Sequence, residues 1–365
     1  MATLGPNDLK QYALPSYWDA ATLSQLRLEQ GQTYEAWIND VTAALAMANA
    51  ALLTDPLIAS LISTTTDPAL EYPTGVSNGF QVATEYGLPD AKRGNTTGHM
   101  LPLIAYDRGL GWTWMFLQKA RQVQLDSDIA SAMQDLKNIW AQRILTRLFK
   151  SDYDAVGSSG RSMPLADGGT ADANYVPSPY PDRGGTFLYT HDHITNLNGI
   201  TQANLEAALL LLWEHGHNSP FDLLIAEADI SSWTNTTNVT GFIPRADPLL
   251  RYGSTQDLAN VGADYIGAIE TDYGAVRVRA TGRVPTTYWS VYKSYGPLDA
   301  RNPLRVRYNP KFGIGAVLLA GDHIRQYPLE NAVMWMEFGV AVGEDRCAAA
   351  VIINSAGGYS TPTNS

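Results

Sequence analysis

Cysteine is almost absent: Cys347 is the only one in 365 residues. No intrachain disulfide can form, a cysteine-rich zinc site is excluded, and a reducing compartment suits the chain best. Charge is scarce as well, at 17% of residues against about 25% in an average soluble protein. A surface short of charge is expected to be covered by contacts, and subunit contacts are the simplest kind. Basic residues are the scarcer sign, 25 against 36 acidic ones, for a formal charge of −11. Such a chain repels phosphate backbones instead of releasing their counterions, which argues against a dedicated nucleic-acid binder. Long apolar runs are missing too: Ala207 to Trp213 and Phe312 to Ala320 fall far short of the ~20 residues that span a bilayer. Met1 to Lys10 lacks a basic segment followed by an apolar one, so no secretory signal is expected, and the sequons at Asn95, Asn235 and Asn238 read as chance matches. There is no Gly-x-Gly-x-x-Gly, no Walker loop, no Gly-x-Ser-x-Gly and no His-Glu-x-x-His. Neither an internal repeat nor a low-complexity run is visible.

What is present is core material, 45% hydrophobic residues with 9 Trp and 19 Tyr, arranged as mixed helix and strand. Met1 to Tyr17 reads as an extended arm, and Asp19 to Leu53 as one or two helices, with Trp37, Val41, Ala44 or Leu45, and Ala48 at helical spacing and a break at Gly31. Thr64 to Leu103 is rich in Pro and Gly. There Phe80 to Tyr86 alternates like a strand and Asp90 to Asn95 forms a polar reversal, which makes a long two-stranded excursion. Thr113 is placed to cap a helix running to Lys150 without Gly or Pro, striped by Phe116, Ala120, Val123, Ala130, Met133, Trp140, Ile144 and Leu148. Ser151 to Gly185 reads as a long surface loop. Thr201 caps a helix that Gly216 stops, Phe221 to Ala226 is a buried strand, and Ala275 to Val284 alternates apolar and charged positions. Trp335 to Val342 and Cys347 to Ile353 read as two strands of a hairpin turning at Gly343 to Arg346, before a polar tail.

Few constellations carry chemistry. His191 and His193, and His215 and His217, form two His-x-His pairs that could each present two imidazoles to a metal ion, with Asp192, Glu214, Glu227 and Asp229 as the acids on offer. A metal-dependent α/β hydrolase is the enzyme reading these residues support. The competing reading is structural, since an imidazole near a helix C-terminus is favoured by the helix dipole. Gly157-Ser158-Ser159-Gly160 lacks the apolar strand a nucleophile elbow needs, and Cys347 reads as a small core residue. Trp112 and Trp114 read as packing side chains at the start of the long helix.

Several segments, in order, resemble the major capsid proteins of tailed bacteriophages: Gly109-Leu110-Gly111-Trp112-Thr113 before the long helix, and Gly199 to Gly216 after it. Further on come Tyr295-Gly296-Pro297-Leu298 through Arg301 to Val306, then Tyr327 to Glu330, and Glu337 to Arg346. The resemblance covers about Pro68 to Asn354. It implies an α+β fold with an N-terminal arm carrying helices (1–66) and an extended loop built as a long β-hairpin (67–104). It further implies a peripheral domain (105–199 and 311–354) with a spine helix over 113–150, an axial domain (200–310) and a tail (355–365). The function implied is that of a structural protein without catalytic, cofactor-binding or metal residues, which self-assembles as hexamers and pentamers into an icosahedral shell around packaged double-stranded DNA. Its place would be the virion, after assembly in the host cytoplasm and without a membrane step. Its partners would be other copies of itself and a portal, with scaffolding or decoration proteins as further candidates. With about sixty residues before the excursion, a separate scaffold or none is expected. Some relatives join a loop lysine to a neighbour's asparagine, for which Lys92 and Asn354 are the residues at matching places. An encapsulin-like nanocompartment shell shares the same fold and is the nearest alternative.

Overall fold

A computed structural model describes residues 34–74, 95–113, 122–156, 160–167, 192–245, 264–320, 329–343, 346, 350–354, 356 and 359–362. Helix α1 (Tyr34–Thr54) buries Val41, Leu45, Ala48 and Leu52 at steps of three and four. Helix α2 (Pro56–Leu61) follows one residue later. Asp55 accepts from the amides of Leu57 and Ile58 at 3.0 and 3.2 Å, and Pro56 occupies the first turn, where its missing N–H costs nothing. Strand β1 (Ile62–Thr65) leads to an antiparallel pair, β2 (Ala69–Thr74) with β3 (Asn95–Met100), in the segment expected as an excursion. The strands pass so closely that a Cβ on Gly98 would lie 2.3 Å from the Leu70 carbonyl oxygen. The reversal expected at Asp90 to Gly94 and the strand over Phe80 to Tyr86 lie outside the described residues.

Thr113 is not a helix cap. It ends strand β4 (Ile104–Thr113), where Leu110 and Trp112 are buried while Gly111 and Thr113 face out. Period-two burial outweighs the cap signal of a single threonine. The long helix, α3 (Gln122–Phe149), holds 28 residues and is about 42 Å long. Its buried stripe runs through Leu125, Ile129, Ala132, Leu136, Trp140, Ile144 and Leu148. From Trp140 onward this is the expected phase. Before it two expected positions face out, Val123 at 71% exposed and Ala130, since the larger leucine and isoleucine side chains win the inward face, while Met133 is half-buried and Phe116 and Ala120 lie outside the described residues. At the C-terminal end the buried Arg147 guanidinium donates to the Ser162 and Asp152 carbonyls, both at 3.0 Å.

Beyond α3 come the short pair β5 (Asp154–Val156) and β6 (Gly160–Ser162), then β7 (Ile194–Asn196). Helix α4 (Gln202–Glu214) starts at Thr201, whose hydroxyl accepts from the Asn204 amide, and ends at Gly216, where φ is +81°. Strand β8 (Phe221–Ala226) is buried at every position. A one-turn helix α5 (Ile230–Trp233) leads to β9 (Phe242–Pro244), β10 (Tyr265–Thr271), β11 (Gly274–Thr281), β12 (Tyr288–Tyr292), β13 (Leu304–Tyr308), β14 (Ala316–Ala320), β15 (Leu329–Val342) and β16 (Ala350–Asn354). Among the described residues no helix is long and apolar enough to cross a membrane.

The chain divides into two compact units. The smaller takes residues up to Ala48, 106–135 and 316–336, and the larger takes 49–105, 136–315 and 337–365. In the smaller unit β14 pairs antiparallel with the first half of β15, from Ala316 opposite Met336 to Ala320 opposite Ala332. There Trp112 donates its indole N–H to Asp128 at 3.0 Å, and Arg108 pairs with Asp135. These contacts fasten β4 to the first half of α3.

In the larger unit β1 lies parallel to β13, which is antiparallel to the second half of β15. A seven-stranded mixed sheet runs β7-β16-β12-β8-β11-β10-β9. The hairpin expected between Trp335 and Ile353 does not form. β15 pairs with β13, whereas β16 crosses to the other sheet and pairs with β12 and β7. Residues 350–354 thus pair with a strand of the 200–310 segment and with β7. A polar turn between two apolar strands signals a reversal, but it does not name the pairing partner. Leu205, Leu209 and Leu212 of α4 pack on Phe221, Leu223 and Ile225 of β8, with Trp233 and Trp289 meeting edge to face at 5.0 Å.

The middle of that sheet contains a buried charge. Asp222, fully buried on β8, accepts from Arg277 at 2.5 Å and Arg279 at 3.2 Å, and Arg279 reaches Asp264 at 2.8 Å. Beside it burial raises the Tyr292 phenol above its ordinary value, and the Asp222 charge adds to the effect, so the phenol stays protonated. The Tyr292 hydroxyl lies 3.0 Å from that of Ser60 on α2. Substituting Asp222→Asn leaves two guanidinium groups without their shared carboxylate and is expected to cost about 3 kcal/mol. Denaturant unfolding of the variant measures this; a midpoint unchanged from the parent protein would contradict it.

Candidate functional site

The histidines that could have formed a metal site are separated by the fold. His193 is fully buried after β6 and before β7, and its Nε2 lies 3.1 Å from Nε2 of His215 at the end of α4. At that distance one ring donates and the other accepts. His217 does not join them. Its Nδ1 lies 2.6 Å from the Tyr295 hydroxyl, the rings meeting edge to face at 5.8 Å. His191 lies outside the described residues. The acids are employed elsewhere: Asp192 accepts from the Ile194 amide at 2.7 Å, and Asp229 from the Thr287 amide at 2.7 Å. Among the described residues no three His, Cys, Asp or Glu side chains stand close enough to share a metal ion. The four-histidine set of the hydrolase reading is therefore not assembled by the residues that are described.

Around His217 the charges are basic. Lys293 donates to the Pro220 carbonyl at 3.0 Å, and its charge adds to burial in lowering the His217 imidazole from 6.5 to about 4. Lys293 is itself lowered, by burial first and then by the Arg277 charge. Arg301 stacks over the Tyr295 ring at 4.0 Å and pairs with Asp299 at 3.0 Å. The turn that carries these groups is held by Asn302. Its amide nitrogen donates to the carbonyls of Ile62 at 3.0 Å, Gly296 at 2.8 Å and Ala59 at 3.3 Å, while its oxygen accepts from the Tyr295 amide at 3.1 Å. The group is a structural joint, in which each polar contact named runs to main chain or to a neighbouring side chain.

With no reaction centre among these residues, the arrangement of the whole chain is the more informative feature. No protein-family model matches the sequence, and no curated protein does. The structure is similar to that of Mycobacterium phage Patience over 96% of this chain and 97% of that one, with a TM-score of 0.62 and 23% sequence identity. The chain shares the α+β fold of that phage structure. Two further solved structures are similar at lower scores. The capsid of Ralstonia phage GP4 has a TM-score of 0.47 and 9% identity over 84% of this chain and 92% of that one. The holo-SrpI encapsulin complex from Synechococcus elongatus has a TM-score of 0.44 and 14% identity over 83% and 88%.

The polar groups of interest here are those that fasten segments. Sequence reasoning missed the Asp55 cap of α2, although Asp-Pro ahead of an apolar run was a readable signal. It also missed Asn302 and His99. The latter is buried at the foot of the β2–β3 hairpin, with Nε2 3.1 Å from the Val342 carbonyl and Nδ1 3.3 Å from the Tyr72 hydroxyl. No local signal marks either as a fastening, because each has a partner some 240 positions away. Of the two residues considered for a crosslink, Lys92 lies outside the described residues and Asn354 ends β16.

The lowered His217 sets a pH dependence. Its folded value of about 4 lies below the unfolded 6.5, so the unfolded chain takes up the proton first. Stability is complete above pH 6.5 and falls as pH drops, by on the order of 3 kcal/mol by pH 4. Urea unfolding between pH 7 and 4 is expected to give a shallower decline for His217→Gln than for the parent protein, and identical slopes would refute the assignment.

Proposed function

We propose that this chain is the major capsid protein of a tailed phage, a structural subunit that acts without catalytic turnover. The observation that carries the reading is the end-to-end likeness to one phage structure, with 97% of that chain covered. In this reading α3 is the spine of a peripheral domain shared with β1, β13 and β15. The seven-stranded sheet is the core of an axial domain, which also takes in 350–354. The β2–β3 pair is the root of an extended loop that lies on a neighbouring subunit. A two-stranded pair is marginal alone and needs packing to persist, which a neighbour would supply.

Copies would assemble as hexamers and pentamers into an icosahedral shell enclosing double-stranded DNA, with a portal at one vertex and scaffolding or decoration proteins as further partners. The site of action would be the virion, after assembly in the host cytoplasm. The net charge of −11 suits a wall that must not trap the packaged polyanion. Low charge density suits a surface spent largely on contact.

Electron microscopy and sedimentation of the purified protein test the proposal. Closed particles tens of nanometres across, on the scale of an icosahedral shell of repeated protein subunits, are the expected result. A stable small species that never assembles, alone or with the products of neighbouring genes, would overturn it. Packaged DNA rather than packaged enzyme in native particles separates a phage shell from an encapsulin. Deleting Asp90 to Asn95 is expected to leave a folded subunit that no longer forms stable shells; unaltered particles from that deletion would count against the loop's role.

A further inference from the structure

The hairpin formed by β2 and β3 is fastened at its foot by apolar and polar contacts. Leu70, Leu101 and Ala341 make a small apolar cluster. The Leu101 amide donates to the Pro68 carbonyl at 2.8 Å, and Arg307 donates to the Leu101 carbonyl at 2.9 Å. A further tie is His99, opposite Leu70 in the hairpin register and only 8% exposed. Its Nε2 faces the Val342 carbonyl at 3.1 Å, so that nitrogen must carry the proton. Its Nδ1 then accepts from the Tyr72 hydroxyl at 3.3 Å. The ring therefore links both hairpin strands to the end of β15, and in this neutral tautomer it donates from Nε2 and accepts at Nδ1.

The surroundings oppose a charge on it. Burial is the first cause that lowers His99 from 6.5 to about 4, and the charges of Arg346 and Arg305 lower it further, against the Val342 carbonyl, which raises it. Arg305 lies on β13 opposite Ala341 and donates to the Ala300 carbonyl at 2.8 Å. Arg346 donates to the Pro164 and Leu165 carbonyls at 2.9 and 3.3 Å. Both guanidinium groups are buried. On the hairpin itself the nearest carboxylate in sequence, Glu71, is exposed and alternates to the face opposite Leu70 and Tyr72.

We propose that His99 is a proton-operated latch: neutral, it ties the foot of the β2–β3 hairpin to β15, and protonated, it releases the hairpin. Proton uptake at Nδ1 removes the lone pair that accepts from Tyr72 and places a third cation beside Arg305 and Arg346. The open hairpin lets the imidazolium reach water, and deprotonation restores the tie. The latch belongs to the single subunit, so it holds whether or not the chain forms a shell.

Hydrogen exchange of the full-length protein, read by mass spectrometry on peptides covering 69–74 and 95–100 and corrected for intrinsic rates, tests it between pH 7 and 4. Protection of the hairpin is expected to fall about tenfold per pH unit below the ordinary histidine value. In His99→Gln, which keeps a donor and an acceptor without titrating, protection over that range is expected to stay level. His217→Gln serves as a control and should keep the parent's fall. Equal slopes in the parent and in His99→Gln, or no fall in the parent, would overturn the proposal. Should His99→Gln fail to fold, the ring's own titration in the parent decides by NMR. A midpoint near 4 that coincides with the loss of hairpin protection supports the latch. A midpoint near 6.5 with protection intact overturns it.

Discussion

A carboxylate cannot be buried alone, and the central strand of the seven-stranded sheet carries one. Asp222 sits in an otherwise apolar run, Phe221 to Ala226, every residue of which is buried. The strand is tolerable only because its parallel neighbour β11 supplies Arg277 and Arg279 on the same side. That requirement sets more than one pairing. Arg277 is the register partner of Asp222 on one flank and Tyr292 is its partner on the other. The Tyr292 hydroxyl meets Ser60, which brings the short helix α2 to the sheet. From α2 the Ala59 carbonyl accepts from both the Leu298 amide and the Asn302 side chain. One buried charge thus organises a chain of polar contacts from the sheet centre to the turn before β13.

The same economy governs the hairpin. Its foot rests on β13 and the end of β15 through contacts that include a small apolar cluster, the Arg307 bond to the Leu101 carbonyl and one imidazole. A segment attached in this way can be ordered by a neighbour or freed by a proton without disturbing the sheet behind it, because the core of Leu205, Leu209, Phe221, Trp233 and Trp289 is built from other residues. A search for a reaction centre among the histidines accordingly finds fastenings.

Legibility followed locality. Thr201 and Gly216 bound α4 as their types require, and β8 was readable as a continuous apolar run. The buried positions Val41, Leu45 and Ala48 of α1 fell on the predicted spacing. Errors arose where two local signals competed. Thr113 offers a plausible cap, yet the alternation from Ile104 to Thr113 makes it the end of a strand. In the first half of α3 small and medium apolar residues occur on more than one face, so spacing alone chose Val123 and Ala130 over Leu125 and Ile129.

What the sequence by itself determined is therefore the mixed α+β character, the acidic and charge-poor surface, the ends of the capped helix and the order of segments that resembles a phage capsid protein. These depend on residue type and on spacing within a turn or two of chain. Tertiary structure alone decided that β16 leaves β15 for β12, that His193 meets His215 while His217 turns to Tyr295, and that His99 closes on Val342. Each of these is a choice among distant partners, and pairing energies between segments far apart in sequence leave no mark in the local pattern of either one.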